Sequence, residues 1–479
     1  MPAPTVTPVI AELAAYMADA RRRSLPAVVA EKTKHHLLDT LAAMVSGTRL
    51  LPGRKAIQYA RSRGGVAEAT VAGTDIVTSA EVAALANGML AHADETDDSH
   101  AESQTHPGCG IVAAALAMAE TLARGGRDLL RAVALGYDVG PRFTMSLNAL
   151  EFREEGHSTH SFGPTFGAAA AAASLARLDA GRMLHVLTYA GQQASGVGSW
   201  LGDTDHIEKA FDFGGMPARN GVTAATFVRQ GFTATDDMFA GARNFFQAYT
   251  HTGRGANPSE LARELGETYE VMNTNIKRWS VGSPIQAPLD SLADLIKTHR
   301  FSADDVERVL VKVSHTGATT TDNRLIPDIC MQQMCAVMLM DGVVTFDSAH
   351  DETRMHDAAT QAVRARIELR GDDELQTLLP SRQGIVEVTL KDGRRLTHRT
   401  EAVRGTTDNP MTRAEVDEKA YHLLAPVLGK RRARGLCDAV WGIEAVRDVR
   451  ELRPLFSKAR QASAPATLSR LARDEARLT

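Results

Sequence analysis

Residues 34–47 read KHHLLDTLAAMVSG and end a longer segment in which apolar side chains recur every three or four residues. That spacing places them on one face of an α-helix. The apolar side chains with this spacing are Val28, Val29, Leu37, Leu38, Leu41, Met44 and Val45. Pro26 precedes the segment and Gly47 closes it, which are typical signals for the start and the end of a helix. The stretch therefore predicts a long helix with one buried face.

Two further segments before residue 272 have the same helical character. Pro107 opens one that runs to Leu122 and is closed by Gly125-Gly126. The other, Phe166–Leu178, is rich in alanine, whose small side chain lets neighbouring helices approach closely. Up to about residue 272 the chain is therefore predicted to be mostly helical.

The pattern changes after Ile276, where alternating apolar and polar side chains indicate β-strands. The predicted strands lie at residues 308–315, 367–369, 385–390 and 395–403. Asp392-Gly393 separates the last two and is a strong signal for a hairpin. Helical stretches lie between the strands, at residues 290–298 and 331–340. This region predicts a separate α+β domain of ordinary size.

The helical pattern returns at Thr412-Arg413-Ala414-Glu415, which is a capping-box sequence. Because 479 residues are too many for one ordinary core, we expect two domains. The predicted fold is mainly α, with a large all-helical domain interrupted by a smaller α+β lid domain. The predicted spans are residues 1–272 for the first part of the helical domain, 273–405 for the lid and 406–479 for the completion of the helical domain. A cleft between domains is a common place for a small-molecule site.

The composition argues against several classes of protein. A formal net charge of −4 gives no basic surplus for binding nucleic acid or an anionic membrane. No apolar run is long enough to cross a bilayer, and the N-terminus has no signal-peptide pattern. The cysteines, at positions 109, 330, 335 and 437, form no zinc or iron–sulfur pattern. We therefore expect a soluble, reduced, cytoplasmic protein that binds neither nucleic acid nor a membrane.

The densest group of titratable residues is His92–His100, followed closely by His106-Pro107-Gly108. Crowded carboxylates do not all ionise easily, so their pKa values spread and supply an acid and a base near neutral pH. His106 also precedes a helix whose free N–H groups favour a bound carboxylate. Two alternatives stay open, a solvated acidic loop and a divalent metal site. The candidate metal ligands are Asp97, Asp98, His100 and His106, although their spacing matches no defined metal motif.

Other titratable groups lie further along the chain. His157 and His160 precede the alanine-rich helix, where they either face a cleft or are ordinary capping or surface residues. Lys209 lies in one later segment, and Lys277-Arg278 lie at the proposed domain join. Single lysines are usually exposed, but a cation at a domain join would hold an anionic substrate. The nucleotide-binding patterns GxxxxGK[ST] and GxGxxG, in their proper settings, and the nucleophile elbow GxSxG are absent from the sequence.

Taken together, these motifs resemble the MmgE/PrpD family, which includes 2-methylcitrate dehydratase, cis-aconitate decarboxylase and iminodisuccinate epimerase. The resemblance covers most of the chain, and its most specific part is the acidic segment followed by His106-Pro107-Gly108. The other stretches that carry it are residues 34–47, 156–157 with 166–169, Lys209 with 218–221, and 409–412. It implies a helical domain with a smaller α+β lid, a homodimer, and no requirement for a metal or an organic cofactor.

The resemblance also implies roles for particular residues. The implied catalytic residues are Glu95, Asp97, Ser99, His106 and His157. The implied substrate-binding residues are Lys209 and Lys277, and Arg278, next to Lys277, is a further candidate. The two histidines would serve as base and acid, in an order that stays open, with a carboxylate orienting one imidazole. His157 matches with one residue inserted, and Lys209 matches with a small change in length.

The chain departs from the family pattern in two places. Where the family often has Cys-x-x-Thr-His after the second lysine, this chain reads Gly282-Ser283-Pro284-Ile285-Gln286. After Lys209, Asp212 replaces the usual histidine. These changes concern the substrate more than the class of reaction.

The sequence thus predicts a lyase that moves a proton at a carbon next to a carboxylate in a small di- or tricarboxylate. The preferred reaction is that of a 2-methylcitrate dehydratase-like hydro-lyase, and a decarboxylase or an epimerase on the same scaffold is the alternative. All three reactions develop similar carbanion-like charge, which charge-assisted bonds from lysines would stabilise. A metal-dependent hydrolase and a non-catalytic polycarboxylate-binding protein are further alternatives.

Overall fold

A computed structural model describes residues 6–250 and 255–457 of the chain. Helices occupy most of these residues, which confirms the predicted mainly α fold. The α-helices are α1 (Pro8–Asp19), α2 (Ala27–Gly47), α3 (Leu51–Arg63), α4 (Ala80–Ala91), α5 (Pro107–Thr121), α6 (Gly126–Met145), α7 (Ala149–Glu154), α8 (Thr159–Leu175), α9 (Ala180–Gln193), α10 (Ile207–Ala210), α11 (Met216–Arg229), α12 (Phe245–Tyr249), α13 (Ser283–His299), α14 (His315–Thr321), α15 (Met331–Asp341), α16 (Phe346–Ala349), α17 (Ala358–Arg364), α18 (Asp373–Thr377), α19 (Arg413–Leu428), α20 (Lys430–Trp441) and α21 (Arg453–Phe456).

Short non-α turns connect several of these helices. A π-helical turn, Phe211–Gly215, lies between α10 and α11. The 3₁₀ turns are Gly198–Gly202, Pro258–Ala262, Glu270–Asn273, Ala303–Asp305, Pro327–Ile329, Thr353–His356, Ile443–Ala445 and Val449–Leu452.

The strands form one four-stranded sheet and two small pairs. They are β1 (Ala69–Thr70), β2 (Val77–Thr78), β3 (Ser99–His100), β4 (Thr274–Asn275), β5 (Val306–Ser314), β6 (Ile367–Asp372), β7 (Gly384–Leu390) and β8 (Arg395–Thr400). The larger sheet has the order β6-β5-β7-β8, in which β5 and β6 are parallel and the other neighbours are antiparallel. Antiparallel pairs join β1 to β2 and β3 to β4.

Helices buried on all sides form the centre of the molecule. Almost every residue of α5 and α8 is buried, and α8 packs against α5, α6 and α11. Glycine allows the backbones to touch, since a Cβ added at Gly167 would lie 2.6 Å from the carbonyl oxygen of Gly136. The small residues of these segments therefore set the close spacing of the helices.

The buried apolar side chains fall into two hydrophobic clusters. The large cluster contains residues 10–276 together with 411–456, and the small cluster contains residues 279–396. The four-stranded sheet and α13 and α15 contribute to the small cluster. The division into domains at residues 272 and 405 stays a prediction.

Most of the predicted elements are present with small shifts of their ends. α2, α5, α13, α15 and β5–β8 match predicted helices and strands, and the capping box of Thr412 and Glu415 is formed. α8 begins at Thr159, seven residues before the predicted start, and Pro164 lies inside the helix. An internal proline costs about 3 kcal/mol. Burial of the whole helix between its neighbours outweighs that cost.

A membrane span was not expected from the sequence. Within residues 6–250 and 255–457, every helix is either too short or too polar to cross a membrane.

Candidate active site

The acidic segment between α4 and α5 is buried. Every residue from His92 to Asp98 is inaccessible or nearly so. The antiparallel pairing of β3 with β4 sets Ser99 opposite Asn275, which brings this segment beside Lys277. Because a buried carboxylate requires hydrogen bonds or counter-charges, partners for these side chains are expected. The alternative of a solvated acidic loop is therefore wrong.

Asp97 lies between two imidazoles. Its Oδ2 atom is 2.9 Å from Nδ1 of His92, and its Oδ1 atom is 3.0 Å from Nδ1 of His106. Burial alone would raise the pKa of Asp97, but the charges of His92 and His106 and their hydrogen bonds hold it well below its usual range. Asp97 is therefore an anion at neutral pH that orients both rings.

This arrangement fixes the tautomers of the two histidines. An ionised carboxylate only accepts hydrogen bonds, so each Nδ1 atom donates and each Nε2 atom keeps a lone pair while the ring is neutral. Burial, followed by the charge of Lys277, lowers the pKa of His106 to about 4 although Asp97 acts in the opposite direction. His106 is thus a neutral imidazole near pH 7, with Nε2 as its basic atom.

Glu95 holds two lysines beside this pair of histidines. Its Oε1 atom accepts from Nζ of Lys209, and its Oε2 atom lies 3.2 Å from Nζ of Lys277. Lys277 also donates to the backbone oxygen of Glu95 at 2.9 Å, and its Nζ is 3.9 Å from Oδ1 of Asp97. Burial would raise the pKa of Glu95, but the two lysines hold it well below its usual value. Two ammonium groups therefore flank the oriented imidazole.

Phe213 supports the histidines from one side. Its ring stacks on His92 at 4.3 Å and on His160 at 3.8 Å between centroids. Nζ of Lys209 lies 5.2 Å from the same ring. The His106 ring is 5.2 Å from that of His160. One aromatic residue thus packs against three of the cationic or imidazole groups of the site.

The π-helical turn places Phe213, and it depends on two glycines. A Cβ added at Gly214 would lie 2.0 Å from the carbonyl oxygen of Gly88 in α4, and one added at Gly88 would lie 2.2 Å from that of Gly214. The two backbones therefore touch directly.

Three of the predicted site residues lie apart from this cluster. His157 stacks on Phe152 at 4.1 Å and packs near Tyr249, and its backbone bridges to Val197. Ser99 lies in β3, half-buried, rather than among the buried side chains. Arg278 stacks on its neighbour Trp279 and pairs with Asp290 at 3.2 Å. The predicted residues that converge are Glu95, Asp97, His106, Lys209 and Lys277.

Three histidines that the sequence analysis gave no role converge with them: His92, which contacts Asp97, and two others. His160 is the second residue of α8 and lies where His157 was expected, against Phe213 and near His106. His206 has a left-handed backbone and its ring is 5.3 Å from that of His92. Burial lowers the pKa of both rings well below the usual value. The available signals were the position of His160 three residues after His157 and that of His206 three residues before Lys209.

Arg382 is a further cation that the sequence did not single out. It lies in the loop between α18 and β7 and is solvent-accessible, and within the described parts of the chain its guanidinium has no hydrogen-bond or ion-pair partner. The surrounding protein still removes enough solvent to lower its pKa to about 10, with Arg153 adding to the effect and Glu95 opposing it.

Asp212, for which the family resemblance led us to expect histidine, has its own local contact. Its Oδ2 atom accepts a hydrogen bond from Oγ of Ser158, immediately before α8. Burial raises the pKa of Asp212 to about 7, so it changes charge near neutral pH.

The predicted metal ligands do not converge on one point. Asp98 accepts hydrogen bonds from Tyr137 at 2.6 Å and from the Gly108 N–H at 3.0 Å, and its Oδ2 is 2.8 Å from His36. The two ring nitrogens of His100 form hydrogen bonds with Ser103 and Glu270 instead. Among the described residues, the sets whose ligand atoms lie within 4.8 Å of one another are His92 with Asp97 and His106, and His92 with Glu95 and His206. In the second set both carboxylate oxygens of Glu95 already bind lysines.

The fold and the site together define a class of protein. An oriented imidazole beside ammonium groups, buried in a mainly helical chain, is the arrangement expected of an acid–base enzyme for a small anion. Residues 11–255 match the family model described as the MmgE/PrpD N-terminal domain, and residues 279–443 match the MmgE/PrpD C-terminal domain. The chain belongs to the MmgE/PrpD family.

Several curated relatives align along most of the chain. The chain is 25% identical to the cis-aconitate decarboxylase-like protein oryM of Aspergillus oryzae, over 94% of this chain and 97% of the relative. It is 23% identical to cis-aconitate decarboxylase of Aspergillus terreus, over 94% and 96%, and 24% identical to the human protein of that name, over 89% and 90%. These findings make the chain an enzyme of the lyase type. They give no support to the specific prediction of a 2-methylcitrate dehydratase.

Proposed function

We propose that this lyase decarboxylates a small polycarboxylate of the cis-aconitate type and uses its own side chains as acid, base and anion-binding groups. The observation that carries the proposal is the neighbourhood of His106. Its ring is oriented by Asp97, and Nζ of Lys277 lies 3.9 Å from the same carboxylate. The names of the relatives support decarboxylation over the other reactions of the family.

The lysines supply binding sites for substrate carboxylates. An ammonium group has three donors, and Lys277 uses two of them on Glu95. A third donor is therefore available for a substrate oxygen, and Nζ of Lys209 lies beside the other carboxylate oxygen of Glu95. Arg382 supplies a third cation, in place of Arg278, which is engaged by Asp290. Three cations match the three carboxylates of a tricarboxylate.

Bound substrate would also prepare His106 for its part in the reaction. His106 is neutral near pH 7, because its pKa is about 4. The negative charges of a bound polycarboxylate would raise that pKa, so the ring takes a proton from solvent. Loss of CO2 leaves an electron pair on carbon, which the ammonium groups stabilise and the imidazolium then protonates. Each turnover consumes one proton and releases one CO2.

Dehydration is the second candidate, and the state of His106 favours it. A neutral Nε2 atom with a lone pair is ready to abstract a proton from a carbon next to a carboxylate. The same cations would stabilise the resulting charge, and the proton taken up by His106, or one from solvent, would leave with the hydroxide as water. The two candidates therefore differ in what leaves the substrate and not in how it is held.

The test is a panel of polycarboxylates, including cis-aconitate and 2-methylcitrate, incubated with the enzyme in D2O. We expect CO2 release and one deuterium on carbon in each molecule of product. His106→Ala should lower the rate about 10²–10⁴-fold, the typical contribution of a positioned acid or base. The matched control is His315→Ala, which removes an exposed imidazole paired with Asp373 and should leave the rate unchanged.

Two results would contradict decarboxylation. A product with a new double bond, formed with loss of water and without CO2, would assign the second candidate. A rate that His106→Ala and His315→Ala leave equal, with both variants folded by circular dichroism, would remove His106 from the chemistry.

A further inference from the structure

A second group of buried charges lies next to Glu95 and connects the two hydrophobic clusters. It centres on His350, which directly follows α16. Phe346 of α16 packs against the large cluster, whereas Ala349 belongs to the small one. The guanidinium of Arg49 lies 5.0 Å from the Phe346 ring centroid and also pairs with Asp347. α16 is therefore anchored on the helical part of the molecule.

The contacts of His350 require it to be a cation. Its Nδ1 atom lies 2.6 Å from the backbone oxygen of Phe346, which only accepts, so Nδ1 carries a proton. Its Nε2 atom lies 3.0 Å from Oδ2 of Asp94 and 3.8 Å from Oδ2 of Asp328. The N–H direction at Nε2 is not aligned for a hydrogen bond, so the contact is an ion pair. A lone pair at Nε2 would be repelled by carboxylate oxygens at these distances, so Nε2 also carries a proton and the ring is an imidazolium.

Asp94 controls the turn that carries Glu95. Its Oδ1 atom accepts from the N–H of Thr96 at 3.0 Å, and its Oδ2 atom accepts from the Thr96 hydroxyl. The backbone oxygen of Thr96 in turn accepts from Nζ of Lys419 in α19 at 3.0 Å. Glu95 thus lies between two anchored residues, and its carboxylate points to Lys209 and Lys277.

We propose that His350 is a positioning residue for the substrate-binding lysines. Its imidazolium, which α16 holds in place, pairs with Asp94 and fixes the position of that carboxylate. The turn held by Asp94 then orients the carboxylate of Glu95 toward Lys209 and Lys277. The inference that this affects turnover rests on the proposed function, whereas the positioning of the lysines does not. His350 need not touch the substrate.

The charge of His350 gives this positioning a pH limit. Burial alone would lower its pKa, but the contact with Asp94 and the charge of Asp328 outweigh that and raise the pKa to about 9. The ion pair between His350 and Asp94 is therefore fully present below the usual pKa of histidine and is lost as the pH rises through about 9. Burial raises the pKa of Asp328 to about 7, and Glu95 and Lys209 also act on that carboxyl. Asp328 becomes an anion above that value and then strengthens the hold on His350.

The kinetic test compares three variants of His350. We expect His350→Ala and His350→Gln to lower kcat/KM about tenfold below pH 9, as for loss of a charge-assisted contact, mainly through KM. Both variants should lose the decline in activity near pH 9. His350→Lys keeps the charge, so it should recover most of the loss and move that decline to higher pH. His315→Ala, an exposed imidazole in a 2.8 Å ion pair with Asp373, is the matched control.

A second readout does not depend on turnover. The rate at which an amine-specific reagent labels Lys209 and Lys277 can be followed for each peptide by mass spectrometry. In the wild type both lysines should react slowly, because Lys277 is buried and both bind Glu95. His350→Ala should raise both rates several-fold, and His350→Lys should not.

The two readouts separate the inference from the proposed function. Faster labelling in His350→Ala without turnover of any polycarboxylate would support the positioning role and remove the proposed reaction. Unchanged labelling, or equal losses of kcat/KM in the alanine and lysine variants, would overturn the positioning role even if decarboxylation is observed.

Discussion

Asp97 has an unusual position at the scale of single residues, because one carboxylate orients two imidazoles. Each of its oxygens accepts from the Nδ1 atom of a different histidine, at 2.9 and 3.0 Å. Its charge also opposes the burial that lowers the pKa of His106. Asp97 therefore sets both the tautomer of His106 and part of its basicity.

Asp97→Asn tests this dependence. An amide presents one accepting oxygen and one donating nitrogen, so only one of the two histidines keeps its Nδ1–H contact. We expect activity to fall about 10²–10⁴-fold. The pKa of His106 should fall below about 4, so its neutral form would persist to more acidic pH, as measured by NMR of labelled histidine. Asp373→Asn, at an exposed ion pair with His315, is the control. Wild-type activity in Asp97→Asn would contradict the assignment.

Individual residues also mark the limit of what the sequence reveals. Glu95, Asp97, His106, Lys209 and Lys277 were predicted from their types and motifs, and they converge. His157 was chosen over His160 because it matches the motif before the alanine-rich helix. The choice depends on where α8 starts, and that start is set by burial of the helix rather than by its own residues.

At the scale of elements, the contact between α4 and the π-helical turn holds the site together. The backbones of Gly88 and Gly214 touch, which fixes Phe213 against the rings of His92 and His160. Sequence patterns report apolar faces and stop signals, and they do not report which two backbones will touch. The contact between two glycines 126 positions apart therefore could not be predicted from the sequence.

Gly214→Ala tests this contact. Its Cβ would lie 2.0 Å from a backbone oxygen, so the turn must shift. Overpacking of this kind costs about 1–3 kcal/mol, which urea unfolding should detect as a lower midpoint. Activity should fall as well, because Phe213 moves. Gly202→Ala is the control, since nothing lies within 4 Å of its added Cβ. Equal midpoints for the two variants would show that the contact is not needed.

At the scale of the whole molecule, the site draws on both parts of the chain. The acidic segment lies among residues of the large cluster, whereas His350, which contacts Asp94 of that segment, comes from the stretch that contains the small one. The homodimer implied by the family resemblance stays a prediction, since the structure describes one chain.

Arg382→Ala tests the contribution from the second part of the chain. A charge-assisted bond contributes about 1.5–3 kcal/mol, so KM should rise at least about tenfold with little change in kcat. Stability should be unchanged, because the guanidinium has no partner among the described residues. Arg382→Lys should recover part of the affinity. Arg394→Ala, an exposed arginine paired with Asp392 in the β7–β8 hairpin, is the control. An unchanged KM in Arg382→Ala would exclude Arg382 from binding.

The sequence by itself determined the mainly α class, the positions of the long helices and the β5–β8 strands, and the family. Periodicity, capping residues and the acidic motif are local properties, and they persist whatever the chain packs against. The tertiary structure alone decided that the acidic segment is buried, that His160 rather than His157 lies beside His106, and that Arg278 turns away from Lys277. These outcomes depend on which distant surfaces meet, and burial then sets the pKa values that make the cluster capable of acid–base chemistry.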